Sequence, residues 1–220
     1  MGILEQKVTY EMQNELKEYK ILAKSNPDYY NFDVACRLKK IAKIYRENKR
    51  LKEAEKTYNE ALKIYKELSD INSTIFNPYI ATILEELAVL YKDTYRYKDA
   101  EKVYIEMLII YKKLAKLNST IFNLNIAITL DSLALLYSDS NRLDEAEKFF
   151  DEALEIYRRL KKIDSGRYGI DYANSIVFAS YYTSKSKYNL NEAKDILQAH
   201  SGLPLAKQLL EFIEELYKVA

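Results

Sequence analysis

His200 and Cys36 are the chain's single histidine and single cysteine, and the chemistry open to them is narrow. A histidine can serve as a general base or metal ligand, and an activated thiol as a nucleophile or redox centre. One of each excludes, by counting, a multi-ligand His/Cys zinc site, a disulfide framework and a Cys–Cys redox pair. Cys36 reads as a spectator thiol. His200, beside Ser201-Gly202, reads as a helix-end histidine near the negative end of a helix dipole. Carboxylate pairs such as Glu85-Glu86 are common on exposed helices and do not mark an acid–base dyad. The runs Lys112-Lys113-Lys116 and Arg158-Arg159-Lys161-Lys162 suggest anion sites, but they recur where helices should end and cations complement the dipole. Gly2, Gly166, Gly169 and Gly202 form neither a dinucleotide fingerprint nor a phosphate-binding loop. With no nucleophile–base pairing to be read, no catalytic residue, metal or cofactor is expected, and the chain reads as non-enzymatic.

The elements that must position these residues are helices. The 220 residues contain four glycines and three prolines, where average usage would give roughly 26. That scarcity excludes architectures punctuated by many tight turns. At 48% hydrophobic and 30% charged, with a net charge of +1, the composition is that of a globular protein. It lacks the cationic surplus that nucleic acid or an anionic membrane surface would attract, so neither is expected as a partner. No uninterrupted apolar run approaches the ~18 residues of a membrane span. The N-terminal residues show no secretory pattern, which predicts a cytoplasmic protein. Tyrosine supplies 21 of the 28 aromatics; its ring can be buried while its hydroxyl reaches water, which suits a thin, elongated core.

Self-comparison shows a repeat of 46 residues. Three blocks, 31–76, 77–122 and 123–168, align without a gap. Alanines recur at Ala35, Ala81, Ala127 and Ala173, and again at Ala54, Ala100 and Ala146 within L-K-E-A-E-K, Y-K-D-A-E-K and L-D-E-A-E-K. Within block two, Ile80, Leu84, Leu87, Ala88 and Tyr91 follow steps of three and four, as do Ala100, Tyr104, Met107, Leu108 and Tyr111, the spacing of one helix face. Asn77-Pro78 reads as a helix start. Each block is therefore an antiparallel pair, helix A (78–93 in block two) and helix B (97–115), preceded by a Ser-Thr-Ile-Phe-Asn linker. Neither helix can bury its stripe alone, so pairs must stack.

These residues resemble the tetratricopeptide repeat, whose helix A carries a large apolar residue, then L-G/A, then Tyr, and whose helix B carries Ala followed by an aromatic. The pattern stands at Leu38, Ile41-Ala42, Tyr45, Ala54 and Tyr58; at Leu84, Leu87-Ala88, Tyr91, Ala100 and Tyr104; and at Leu130, Leu133-Ala134, Tyr137, Ala146 and Phe150. The long period, with L-A-x-L-Y and A-L-x-I-Y-x-x-L, is similar to the kinesin-light-chain type of repeat. That type usually has Asn-Asn before L-A, where Lys39-Lys40, Glu85-Glu86 and Asp131-Ser132 stand here. The resemblance implies an all-α, right-handed superhelical α-solenoid of stacked antiparallel helix pairs. Residues 1–30 are expected to form an N-terminal half-repeat, a capping helix B. Residues 31–168 form three repeats, 169–202 a degenerate fourth, and 203–220 a C-terminal capping helix with the stripe Leu205, Leu209, Phe212, Ile213 and Leu216.

The resemblance also implies a concave, peptide-binding groove lined by outward positions of the A helices. These are Cys36, Lys39, Lys43 and Arg46; Thr82, Glu85, Val89 and Lys92; Ile128, Asp131, Leu135 and Ser138; and, in the degenerate unit, Asn174, Val177 and Tyr181. The groove would begin basic and end more acidic and apolar, as block charges of +4, +1 and −2 suggest. Lys39, Lys43 and Arg46 would then face the acidic part of a peptide or helix; they read equally as a solvated face balanced by Glu47 and Glu53. The family's carboxylate clamp is not expected, because Lys43 and Glu86 replace its asparagines. The function read here is a non-catalytic scaffold binding a protein or peptide partner, with self-association through the C-terminal helix as the alternative.

Overall fold

A computed structural model describes residues 3–183 and 188–219. Among them the fold is all-α: α1 (Ile3–Ser25), α2 (Pro27–Glu47), α3 (Leu51–Ile71), α4 (Ser73–Asp93), α5 (Tyr97–Ala115), α6 (Ser119–Asp139), α7 (Leu143–Ile163), α8 (Ser165–Thr183), α9 (Leu190–Ala199) and α10 (Pro204–Val219). The chain divides into two compact units, Met1–Ile110 and Tyr111–Ala220.

In the first unit α2 packs against α1 and α3, and α3 against α4. Its core is a set of large and small side chains in alternation. Leu38, Ile41 and Ala42 of α2 meet Ala54, Tyr58, Ala61 and Tyr65 of α3, all buried. The alanines allow close helix approach, and the tyrosine rings fill the space beside them. In the second unit α6 packs against α7, α7 against α8, α8 against α9, and α10 against both α8 and α9. Leu130, Leu133, Phe150, Ala153 and Tyr157 form its centre.

The A helices begin earlier than the sequence pattern suggests. Helix α4 starts at Ser73 rather than Pro78, because Asn72 is its N-cap: the Asn72 carboxamide accepts from the Ile75 N–H. Pro78 lies inside the helix, leaving one carbonyl without its usual donor. The expected linker is thus the first turn of helix A. The same cap recurs every 46 residues, at Asn26, Asn72, Asn118 and Asp164, each accepting from the N–H three residues on. A single capping residue separates α3 from α4, so the period of 46 is spent on two long helices and very little loop. Gly166 and Gly169 likewise lie within α8. At Gly169 a Cβ would meet Ile196 Cγ2 at 3.3 Å, so that glycine lets α8 approach α9.

The turns between paired helices also repeat. Lys49, Tyr95 and Asn141 adopt φ of 59°, 57° and 57°, and the next residue, an arginine each time, closes the turn. Arg50, Arg96 and Arg142 donate their N–H groups to the carbonyls of Tyr45, Tyr91 and Tyr137 at 2.8 Å. Their guanidinium groups lie over the same tyrosine rings at 4.4, 4.4 and 4.1 Å and reach Glu53, Asp99 and Glu145 in the first turn of the following helix. Cation–π attraction and first-turn carboxylates thus fix a turn that contains no glycine.

Helix α6, although interrupted by polar residues, is long and apolar enough to cross a membrane by length and composition, with a mean hydropathy of 1.4 over its most apolar 18 residues. Here it packs on α7 and α8, with Ile126, Leu130, Leu133 and Leu136 buried, as the core helix of a helical stack would be.

Candidate functional site: the faces of the A helices

In the first unit the outward positions of α2 and α4 come together. Lys39 Nζ donates to Thr82 Oγ1 at 3.1 Å, and Thr82 in turn donates to the Tyr79 carbonyl at 2.8 Å. Arg46 Nη2 lies 3.0 Å from Glu86 Oε2, and the buried Tyr58 hydroxyl donates to the same carboxylate oxygen at 3.2 Å. Both partners of that ion pair are about four-fifths covered, where screening is weaker than at an open surface. Burial, with the Glu86 charge beside it, pushes the Tyr58 phenol well above its ordinary range. Lys43 is exposed, with Glu47 at 4.0 Å. Glu85 is exposed as well, while Val89 and Lys92 are half-buried.

These contacts divide the basic row. Glu47 does sit near Lys43, but Glu53 is taken by Arg50 at 3.0 Å, and Arg46 is held by Glu86 from the next helix A. Of the three cations, Arg46 is chiefly a cross-repeat fastener, and Lys43 is the most open to a ligand. Cys36 is half-buried, its Sγ 3.3 Å from the Tyr65 hydroxyl. Beside it Phe32, Tyr65, Phe76 and Tyr79 form an aromatic cluster, with Tyr65 and Tyr79 stacked at 5.4 Å.

The second unit does not present all of its expected residues. Ile128 and Tyr181 are exposed, and Leu135, Ser138 and Asn174 are half-buried. Asp131 and Val177 are buried, at 9% and 0% exposure, and so cannot line an open surface. Asp131 instead accepts a 2.7 Å hydrogen bond from the Ser175 hydroxyl and a second from Tyr157. Removal from water, which disfavours the charged form, raises its carboxyl to about 7. Asp171, on the same helix as Ser175, is raised for the same reason. Tyr181 packs edge-on against Phe212 of α10 at 5.1 Å, so the C-terminal helix reaches the outward face of α8.

The remaining chemistry-bearing residues have local partners. His200 caps the end of α9, and its Nδ1 lies 2.8 Å from the Ile196 carbonyl. A carbonyl only accepts, so Nδ1 carries the proton. Among the described residues no three His, Cys, Asp or Glu side chains converge as a metal site. A shallow cavity of about 310 Å³ in the first unit is lined by α3 alone, including Asn59, Leu62 and Lys66. None of the expected groove residues borders it.

A feature the sequence reading missed joins successive B helices. Lys20 pairs with Glu60, Lys66 with Glu106 at 2.7 Å, and Lys112 with Glu152 at 3.3 Å. Both members recur every 46 residues, so the signal was present in the repeat alignment. The ladder stops at Arg158, whose ion-pair partner is Glu155 on its own helix.

This arrangement can be set beside known proteins. Two family models, each described as tetratricopeptide repeat, match residues 79–159 and 40–68, together half of the chain. No curated protein sequence matches significantly. Among solved structures, BtubC (BKLC) from P. vanneervenii aligns with a TM-score of 0.62 at 19% identity, covering 96% of this chain and 75% of that one. A Podosopora anserina kinesin-light-chain-type protein with nearly identical TPR-like repeats aligns with a TM-score of 0.57 at 13% identity, covering 94% and 91%. At those identities the likeness is one of fold, that of an α-solenoid of stacked helix pairs. With the 46-residue period, the buried L-A and Ala-x-x-x-aromatic positions and the two matching family models, the chain belongs to the tetratricopeptide-repeat family.

Proposed function

We propose that this protein is a non-catalytic, cytoplasmic interaction module whose α2/α4 face binds an acidic peptide or helix. The family is in general one of protein-interaction scaffolds, which supports the class of function. The observation that carries the finer reading is the cationic edge of that face. Lys43 is exposed, its carboxylate neighbour at the outer limit of an ion pair. Lys39 is only lightly tethered, to a neutral hydroxyl. Two cations without a tight carboxylate partner can gain charge-assisted hydrogen bonds from a ligand. Cys36, Thr82, Glu85, Val89 and Lys92 complete the lining in this unit. In the second unit Ile128, Leu135, Ser138, Asn174 and Tyr181 offer a more apolar face.

The test replaces Lys39 and Lys43 together by Glu and leaves Arg46 in place, because a carboxylate at position 46 would face Glu86 and perturb the packing itself. The double variant is expected to melt like the wild type and to lose partners captured from the native cell. Capture of the same partners at the same yield would rule out this face as the binding site. A second reading, self-association, is favoured by apolar residues exposed on α1 and α10.

A further inference from the structure

In tetratricopeptide arrays each A helix is covered by its own B helix, and among the described residues α10 and α1 each expose an apolar position that is buried in the other helices of the same kind. By its contacts α10 behaves as a helix A. It packs on α8 and α9, as α8 packs on α6 and α7. Its sequence agrees: Ala206, Leu209, Phe212-Ile213 and Leu216 reproduce the spacing of Ala35, Leu38, Ile41-Ala42 and Tyr45. Helix α1 is in the register of a helix B, since Lys20 makes the same ion pair to the next B helix that Lys66 and Lys112 make.

Burial shows which surfaces are uncovered. Val34, Ile80, Ile126 and Tyr172 occupy one position of the A helices and are all 2–4% exposed; the corresponding Leu205 of α10 is 46% exposed. Leu68, Leu114 and Leu160 occupy one position of the B helices and are 2–4% exposed; the corresponding Leu22 of α1 is 42% exposed. Both rows lie at the same end of a helix pair, as the contact between Cys36 of helix A and Tyr65 of helix B shows. The exposed apolar residues of α10 and α1 therefore occupy positions at the same end of a helix pair.

We infer that α10 of one copy docks on α1 of a second copy, forming an A–B pair across the junction, with the exposed Leu205 against the exposed Leu22. This deepens the self-association reading and depends on it. The contact is continuous with an interface the chain already builds within its repeats, and it is heterologous, joining two different surfaces. Every open assembly keeps one unengaged α10 at one end and one unengaged α1 at the other, so growth proceeds beyond the dimer.

Sedimentation of the full-length chain over a wide concentration range tests this. The wild type should grow past the 25.8 kDa monomer and past the dimer. Leu22→Glu and Leu205→Glu, each substituted at an exposed position, should keep the wild-type circular dichroism and remain monomeric alone. Their equimolar mixture should form a dimer and stop, since one intact surface of each kind remains. A wild type that stays monomeric throughout overturns self-association altogether. A Leu22→Glu variant that still dimerises overturns only the head-to-tail geometry and points to an α10–α10 contact. Should either glutamate variant fail to fold, disulfide trapping decides. In a Cys36→Ser background, Leu22→Cys and Leu205→Cys copies should give a mixed disulfide dimer under mild oxidation, and its absence overturns the proposal.

Discussion

The Ser175 hydroxyl donates to the Asp131 carboxylate at 2.7 Å, from one A helix to the next, inside the core of the second unit. A carboxylate taken out of water holds its proton more tightly, and Asp131 titrates at about 7 when folded. Its ordinary value is about 4.

The sign of the pH dependence follows. Below pH ~4 both folded and unfolded chains carry the proton, and burial costs little. Between ~4 and ~7 the unfolded chain ionises first, so stability falls as pH rises and levels off above the folded value. Asp171, raised in the same direction, adds to the trend. Hydrogen exchange of residues 119–183 should be slower at pH 5 than at pH 8 after correction for intrinsic rates. Asp131→Asn, which keeps an acceptor for Ser175, should flatten that difference.

Arg46 and Lys43 are one turn apart on α2 and should respond differently to loss of charge. Arg46→Met strands Glu86, four-fifths covered and otherwise bonded to Tyr58, and should cost about 1–3 kcal/mol. Lys43→Met removes an exposed pair at 4.0 Å and should change stability by less than about 0.5 kcal/mol. Urea denaturation of the two variants makes the comparison.

The caps should be interchangeable with aspartate but not with alanine. Asn72→Ala and Asn118→Ala each remove an acceptor for the first turn and should lower stability by about 1 kcal/mol. Asn72→Asp should be close to neutral, since Asp164 already fills the equivalent role for α8. Thermal melts of the three variants are sufficient.

Tyr95 holds a left-handed backbone conformation that costs an ordinary L-residue about 1 kcal/mol, and its side chain is 79% exposed. Tyr95→Asn should therefore raise the melting temperature. Asn141→Tyr, in the equivalent turn, should lower it.

The period, the helical faces and helix α5 at Tyr97–Ala115 were all legible in the sequence, because apolar spacing and turn residues agree there. The start of α4 was not. Ser73 and Thr74 read as linker and Pro78 as the first helical residue, and the strength of the Asn72 cap shows only when Asn26, Asn118 and Asp164 are aligned with it. Family positions located the cationic edge at Lys39 and Lys43. They misplaced Asp131, because a carboxylate on an outward stripe reads as solvated unless its partner is known. That partner, Ser175, lies in the degenerate repeat, where the alignment is weakest. The Tyr–Arg–acid turns were readable at a spacing of 46 but went unnoticed, since they contain none of the residues that usually announce a turn.

Those turns bear on how such a chain can change over time. Their shape is held by Tyr45, Tyr91 and Tyr137 gripping Arg50, Arg96 and Arg142, while the residue with positive φ is Lys in one turn, Tyr in another and Asn in the third. The strained position is relieved of any say in the geometry. It is a slot where the side chain can be exchanged without changing the turn, at a cost of about 1 kcal/mol for a residue that resists the left-handed region, at one tip of each helix pair. A scaffold built this way can acquire new surface at its turns while its repeats keep their spacing.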